Sequence, residues 1–219
     1  DMAIERVGIV GAGQMGNGIA HVFAVAGYDV LLTDVSQDAL DRAVALIDRN
    51  LTRQVSKDLI DDAAKNAAMK RIVTTAKLTD LGQTDLIIEA ATERETIKQA
   101  IFEDLLPHLK QDTILTSNTS SISITRLASR TDRPERFMGF HFMNPVPIMQ
   151  LVELIRGIAT DEPTFRACEA VVARLGKTST ASEDFPAFIV NRILMPMINE
   201  AIYTLYEGAR IGALDRYVP

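Results

Sequence analysis

The sequence predicts an α/β fold: a doubly wound, mostly parallel sheet with an inserted helical pair, followed by the start of an all-helical second domain. Short runs rich in valine and isoleucine alternate with helical patterns, which is typical of a parallel sheet covered on both faces. The runs with the length of strands are residues 7–10, 30–32, 86–88, 113–115 and 137–140. The last helical pattern differs from the others because it is apolar on nearly every side. We therefore expect a first domain at residues 1–184 and an incomplete helical domain at 185–219.

Composition sets limits on the function. The chain has 219 residues, of which 47% are hydrophobic, and a formal net charge of −6. That charge disfavours a general electrostatic grip on nucleic acid or on an anionic membrane. Cys168 is the only cysteine and cannot form an internal disulfide. Since no apolar run reaches the roughly 18 residues that a membrane span requires, we expect a cytoplasmic protein with no nucleic-acid, membrane or metal partner.

Helical patterns fill the intervals between the predicted strands. Residues 36–72 form a long helical stretch with Ser36 as N-cap, and its polar, alanine-rich part at about 48–70 predicts a helical pair that projects from the sheet without any strand. Thr92 and Glu95 have the spacing of a capping box at the start of the next helix. Residues 178–185 are polar and precede a proline, which predicts a linker. A helix with a proline kink at Pro196 is expected over residues 187–207.

A glycine-rich loop follows the first predicted strand and begins a helix. Its sequence, GAGQMG at residues 11–16, contains Gly11, Gly13 and Gly16 at the spacing of a Rossmann-type dinucleotide fingerprint. The glycines permit the tight turn, the approach of a pyrophosphate and close packing of helix on strand, while the helix N-terminus attracts phosphate. Asp34 closes the second predicted strand, where a carboxylate accepts hydrogen bonds from the ribose hydroxyls and repels a 2′-phosphate. The expected cofactor is NAD, with Gln14 and Met15 also in contact with it.

One of the three histidines stands at a catalytic position. His21 and His108 lie in helical patterns, where packing or solvent explains each of them. His141 instead ends an apolar strand, and ligands of such sheets bind at the carboxyl ends of the strands. A histidine there can accept the hydroxyl proton of an alcohol that loses a hydride.

Four further motifs carry a resemblance to a known family. They are SNTSS at residues 117–121, HFMNPVP at 141–147, LVEL at 151–154 and FIVNR at 188–192. With the glycine loop they resemble the signature stretches of the L-3-hydroxyacyl-CoA dehydrogenases, which include bacterial 3-hydroxybutyryl-CoA dehydrogenases. The resemblance extends from residue 7 to about residue 208.

The resemblance assigns roles to individual residues. It implies that His141 is the general base, that Glu153 orients and charges it, and that Ser120 and Asn191 donate hydrogen bonds to the reacting oxygen. Ser120 as a helix N-cap is the alternative for that residue, and Ser117 or Ser121 could share its role. The resemblance further places four residues at the cofactor: Glu93, Lys98, Asn118 and Asn144. From the sequence pattern alone, Glu93 and Lys98 are first-turn charges of a capped helix, and Lys98 could form a solvated pair.

Substrate and assembly follow from the same resemblance. It implies reversible oxidation of a short-chain L-3-hydroxyacyl-CoA to the 3-ketoacyl-CoA, with Lys57 contacting a coenzyme A phosphate. The family often has glycine after such a lysine, whereas this chain has Asp58. A dimer through the helical domain is implied, and we expect a polypeptide ending at Pro219 to self-associate or to be a fragment of a longer protein, because the helix at 187–207 has apolar residues on several faces.

Two alternatives remain open at this point. β-Hydroxyacid dehydrogenases, which act on free acids, also begin with GxGxMG, but they use a lysine where this chain has the pair His141 and Glu153. A non-catalytic NAD-binding relative is the other alternative. Such a protein would have no physical reason to retain Ser120, His141, Glu153 and Asn191 together.

Overall fold

The computed structural model describes residues 3–217 and contains a single eight-stranded sheet. In chain order the strands are β1 (Arg6–Val10), β2 (Asp29–Thr33), β3 (Ile72–Thr75), β4 (Leu86–Glu89), β5 (Ile114–Ser117), β6 (Phe137–Phe142), β7 (Leu151–Arg156) and β8 (Thr178–Glu183). Their spatial order is β3-β2-β1-β4-β5-β6-β7-β8. All neighbouring strands are parallel except β6 and β7. The expected doubly wound, mostly parallel sheet is therefore confirmed.

Helices cover both faces of the sheet. They are α1 (Gln14–Val25), α2 (Gln37–Val55), α3 (Asp62–Arg71), α4 (Glu95–Leu105), α5 (Ile124–Ala128), α6 (Glu162–Arg174), α7 (Val190–Tyr206) and α8 (Ile211–Tyr217). Two apolar clusters form the core, one with α1, α2 and α6, the other with α4 and α5. Neighbouring residues of β1 serve different clusters, Ile9 the first and Val10 the second, because successive side chains of a strand point to opposite faces. None of the helices within residues 3–217 combines the length and the apolar character that a membrane crossing requires.

The predicted linker at residues 178–185 is wrong, because this segment contains the strand β8. β8 pairs in parallel with β7 along its whole length. Its serines and threonines are exposed or half-buried, since an edge strand has a neighbour on one side only. β3 was not predicted either, and it begins where the predicted helical stretch ends.

The helical pair consists of α2 and α3, which begin at the N-caps Ser36 and Asp61. Instead of projecting from the domain, both helices pack against α1, and α2 buries Leu40, Ala43 and Ile47 in the core. The predicted capping box is also wrong. Helix α4 begins at Glu95 with no side-chain cap, so Thr92 lies outside it.

Helix α7 confirms the expected helical pattern after residue 187 and contains Pro196 within its length. No residue of α7 is fully buried. The turn that leads into it has two residues with left-handed backbone, Ala187 at φ 66° and Phe188 at φ 50°. The Phe188 side chain nevertheless is buried in the core, and its ring lies 6.2 Å from that of His141. This burial fixes the start of α7 beside the sheet.

Candidate active site

The glycine loop and His141 lie at the same edge of the sheet. Strands β1, β4, β5 and β6 are successive parallel neighbours, so their carboxyl ends meet along one edge. Polar and ionisable side chains lie at these ends: Glu89 ends β4, Ser117 ends β5 and His141 is the penultimate residue of β6. The fold thus assembles one site from residues far apart in the sequence.

The three glycines of the loop meet different steric demands. A Cβ on Gly11, whose φ is 104°, would approach the Ala90 carbonyl oxygen to 2.6 Å, and one on Gly16 would overlap the Gly11 carbonyl oxygen at 1.7 Å. A Cβ on Gly13 would meet nothing within 4 Å, so this residue leaves the loop open towards solvent. Gly13 is also the N-cap of α1, and no side chain caps that helix. The open approach and uncapped N–H groups fit a dinucleotide pyrophosphate.

Asp34 stands beside the loop in a fixed orientation. Its Oδ2 accepts a hydrogen bond from the Ala12 N–H at 2.8 Å, and its Oδ1 accepts one from the Ser36 N–H at 2.9 Å. The carboxylate lines a cleft of about 480 Å³ that also contains Gly11 and Gly13. Its remaining lone pairs are the acceptors that a ribose requires.

We predict that Asp34→Ala lowers kcat/KM with NADH by roughly 10- to 100-fold, the loss expected when hydrogen bonds to a charged acceptor are removed. The preference for NADH over NADPH should also narrow, because the 2′-phosphate no longer meets a carboxylate. Steady-state kinetics with both cofactors measure the change. Asp38→Ala, which removes an equal charge from the exposed first turn of α2, is the control. An unaltered cofactor preference in Asp34→Ala would exclude Asp34 from the site.

His141 bonds to a carboxylate on one side and to a hydroxyl on the other. His141 and Glu153 are directly paired in the antiparallel ladder of β6 and β7, so their side chains share a face. The Nδ1 atom of His141 lies 2.7 Å from Glu153 Oε2, and its Nε2 lies 3.0 Å from Ser120 Oγ. The second carboxylate oxygen, Glu153 Oε1, accepts the N–H groups of Ile189 and Val190 at 2.9 and 2.8 Å.

The surroundings of Glu153 keep it ionised. Burial acts to raise the pKa of this carboxyl group, but the hydrogen bonds from His141, Val190 and Ile189 outweigh it and hold the pKa below its ordinary value. An ionised Glu153 accepts a proton-bearing Nδ1, which leaves the lone pair of Nε2 free to accept. The Ser120 hydroxyl then donates to Nε2. His141 is therefore oriented to take a proton on the side facing Ser120.

The loop that carries Ser120 is held by Glu93. One oxygen of Glu93 accepts hydrogen bonds from Thr119 Oγ1 at 2.5 Å and from the Ser120 and Ser121 N–H groups at 2.9 and 3.2 Å. Burial would raise the pKa of Glu93, but the bond from Thr119 and the charge of Lys98 lower it. Ser120 is not a helix cap, since Ser123 caps α5.

Lys98 is buried, which contradicts the solvated pair expected from the sequence pattern. Only 1% of its side chain is exposed, and its Nζ lies 2.7 Å from Glu89 Oε2 and 3.6 Å from Glu93 Oε2. Glu89 also accepts a hydrogen bond from Ser117 Oγ at 2.7 Å, so Ser117 is unavailable for the role of Ser120. Sequence reasoning missed Glu89, although a charged residue ending an apolar strand is the same signal that singled out His141.

A cleft of about 550 Å³ brings a subset of the predicted residues together. Its lining includes seven of them: Met15, Glu93, Asn118, Ser120, His141, Asn144 and Asn191. Asn191 donates from Nδ2 to the Ser120 carbonyl oxygen at 3.1 Å, which connects α7 to the Ser120 loop. Asn118 Oδ1 accepts the Phe142 N–H at 2.8 Å and ties the ends of β5 and β6 together. Gln14 faces an adjoining cleft that shares Asn144.

Lys57 lies apart from this cleft. It lines a neighbouring one of about 520 Å³ together with Arg53, Pro145 and Pro147. The residue after it, Asp58, has φ 56°, in the left-handed region that favours glycine. The structure thus places Asp58 in a backbone conformation that glycine adopts without strain.

Asp184 is a second residue that sequence reasoning missed, because it falls in the segment taken for a linker. Its carboxylate accepts hydrogen bonds from Ser123 Oγ at 2.7 Å and from the N–H groups of Ile124 and Thr125 at 3.0 and 2.8 Å. It therefore fixes the start of α5, just beyond the Ser120 loop.

Comparison with known proteins identifies the family. Residues 6–185 match the model of the 3-hydroxyacyl-CoA dehydrogenase NAD-binding domain, and residues 188–219 match that of the C-terminal domain of the same family. A 3-hydroxybutyryl-CoA dehydrogenase of Bradyrhizobium diazoefficiens is 62% identical over 97% of this chain and 73% of its own length. A probable 3-hydroxybutyryl-CoA dehydrogenase of Deinococcus radiodurans is 47% identical over 96% of this chain and 76% of its own.

A solved structure agrees with these relatives. The (S)-3-hydroxybutyryl-CoA dehydrogenase of Ralstonia eutropha superposes with a TM-score of 0.93 at 46% identity, over 97% of this chain and 75% of that one. The family model covers the glycine loop, Asp34 and the pair His141 and Glu153. The chain therefore belongs to the 3-hydroxyacyl-CoA dehydrogenase family and is an NAD-dependent dehydrogenase.

Proposed function

We propose that this chain reversibly oxidises the 3-hydroxyl of a short-chain L-3-hydroxyacyl-CoA to the 3-ketone, with His141 and Glu153 as the base pair. The observation that carries this proposal is the orientation of His141. Its Nδ1 is bonded to Glu153, its Nε2 is directed at Ser120 in the cleft, and that cleft adjoins the glycine loop. The names of the relatives supply the substrate class.

The proton has a defined path in this arrangement. A bound substrate hydroxyl takes the place of the Ser120 hydroxyl at His141 Nε2 and gives its proton to that atom, and the imidazolium that forms is stabilised by the charge of Glu153 at 2.7 Å. The Ser120 hydroxyl, released from Nε2, can then donate to the reacting oxygen. Bound NAD supplies the acceptor for the C3 hydride. Ser120 and Asn191 are neutral donors at the same cleft, so they can hold the oxygen as an alcohol or as a ketone. A neutral donor set suits a reversible reaction.

Coenzyme A is proposed to extend towards Lys57. The cleft that contains Lys57 shares Pro145 and Pro147 with the one next to the glycine loop, which in turn shares Asn144 with the catalytic cleft. Arg53 provides a second cation there. A thioester with its acyl group beside His141 can place its phosphates near these two side chains.

The proposed assembly is a homodimer formed through the helical domain. Helix α7 exposes large apolar side chains, including Ile193 at 66%, Ile202 at 59% and Tyr206 at 90%. A second copy of the chain would remove such a surface from water. We further propose the cytoplasm as the compartment, since Cys168 is a buried free thiol and the sequence has no second cysteine for an internal disulfide.

Steady-state assays test the reaction. Acetoacetyl-CoA and longer 3-ketoacyl-CoAs should be reduced with NADH in preference to NADPH, while free acetoacetate should be a poor substrate. Turnover of the free acid with rejection of the thioester would instead support a β-hydroxyacid dehydrogenase. Among the described residues that line the catalytic cleft there is no lysine, which argues against that alternative. Binding of NADH without turnover of either compound would support a non-catalytic relative.

A further inference from the structure

Lys177 binds the segment that separates the catalytic cleft from the Lys57 cleft. It lies between α6 and β8, and its Nζ donates to the carbonyl oxygens of Val146 at 2.7 Å and Met149 at 2.6 Å. These carbonyls belong to residues 144–149, which we call the dividing segment. The dividing segment connects β6, which carries His141, to β7, which carries Glu153.

The dividing segment has few other means of being held. Its two prolines lack N–H groups, and its internal bonds are those of a single turn, from the Ile148 and Met149 N–H groups to the Pro145 carbonyl oxygen at 3.0 and 2.9 Å. The carbonyls that Lys177 bonds lie outside the strand ladders. An ammonium group with three donors on a long stem can satisfy both at once.

A second contact also holds the segment. Val146 is buried against Gly18 of α1, where a Cβ would come within 2.9 Å of the Val146 Cβ. The segment is therefore fixed between α1 and Lys177. Water could satisfy an exposed carbonyl without ordering a long side chain, and Lys177 is half-buried, which lowers its pKa. Partial burial of the Lys177 ammonium group is unfavourable, so we take its two bonds to mean that the position of the dividing segment matters for function.

The dividing segment shapes both clefts. Asn144 and Met149 line the catalytic cleft, whereas Pro145, Pro147 and Ile148 line the cleft of Lys57. We propose that Lys177 is a positioning residue for the acyl-CoA substrate: it holds the dividing segment where a thioester can lie across it, with the acyl group beside His141. This inference rests on the proposed function. Lys177 itself contacts neither the reacting atoms nor any residue of the base pair.

Lys177→Met tests this role, with Arg174→Met as the matched control. Arg174 lies at the end of α6 and also donates to backbone carbonyls, those of Ala26 and Gly27 at 3.3 Å, but neither of these lines the catalytic cleft. We expect Lys177→Met to raise KM for acetoacetyl-CoA roughly tenfold, as the loss of two charge-assisted hydrogen bonds allows. Its kcat should change much less, and Arg174→Met should leave this KM unaltered.

Two further measurements separate positioning from general stability. Hydrogen exchange at the amides of Ile148 and Met149 should be faster in Lys177→Met and unchanged in Arg174→Met. Lys177→Arg, which keeps the charge and can still donate to two carbonyl oxygens, should recover part of the parent KM. If Lys177→Met does not fold, Lys177→Gln, which retains a shorter donor, should show the same changes to a smaller degree.

An unchanged KM in Lys177→Met with parent-like exchange would overturn the inference, and so would an equal rise of KM in both Met variants. A parent protein that fails to reduce acetoacetyl-CoA would refute the proposed function instead. In that case the exchange of the two amides would still decide whether Lys177 holds the dividing segment.

Discussion

His141→Gln is expected to lower kcat by roughly 10²–10⁴, the usual contribution of a positioned general base, while the affinity for NADH stays near that of the parent. Glutamine keeps much of the side-chain volume but cannot accept a proton from the alcohol. Its neutral amide also forms no cation that the carboxylate of Glu153, 2.7 Å from the imidazole, could stabilise. The loss should therefore fall on the chemical step and leave cofactor binding intact.

Single-turnover kinetics and NADH fluorescence titration measure the two quantities separately. His108→Gln makes the same substitution at an exposed histidine and should behave as the parent. Parent-like turnover in His141→Gln, with a normal pH dependence, would show that another group accepts the proton.

Glu153→Gln is expected to lower kcat by roughly 10- to 100-fold, the loss that is typical when a carboxylate that orients a metal-bound histidine is replaced. The variant keeps the shape of the side chain but removes the charge that stabilises the imidazolium. The loss should be smaller than in His141→Gln because the base itself remains. Glu183→Gln, at an exposed position on the neighbouring strand, is the matched control. A kcat equal to that of the parent would remove Glu153 from the mechanism.

The same variant should change the pH dependence of stability. The pKa of Glu153 is lower in the folded chain than its ordinary value of 4.5, so the folded state favours the ionised form. Its contribution is fully present above pH 4.5 and is lost as the pH falls from there through the folded pKa. Denaturant unfolding should show Glu153→Gln less stable than the parent at neutral pH. That difference should shrink as the pH falls below about 4.5, and a constant difference would contradict the assignment.

Burial explains which strands the sequence predicted. The central strands β1, β4 and β6 are buried almost throughout, so their apolar runs stand out from the helical patterns around them. Strand β7 is an exception, since four of its residues are buried and it was not among the predicted strands. The two strands at the sheet edges, β3 and β8, were also missed. Each has a single neighbour and no fully buried residue, so polar and small side chains fill it. A period-2 apolar pattern has no physical reason to develop in such strands.

Some residues of the candidate site could likewise be predicted from the sequence, and others could not. Residues at strand ends, such as His141 and Asp34, could be proposed from the sequence because a polar group that closes an apolar strand is visible along it. Lys98 was misread because its partner Glu89 comes from another element, and only the folded chain brings the two together. The capping box of α4 was misassigned because the helix begins only at Glu95, with Arg94 as its N-cap and no capping side chain.

The Glu153 carboxylate bonds both to His141 and to the backbone at the start of α7. One of its oxygens faces His141, and the other accepts the N–H groups of Ile189 and Val190. Thermodynamic reciprocity then applies: whatever free energy the docking of α7 contributes to ionising Glu153, ionised Glu153 returns to the docking of α7. A substitution that loosens this helix far from the cleft will therefore also raise the proton affinity of Glu153. The His141 imidazolium then receives less stabilisation from Glu153, so His141 becomes a weaker base.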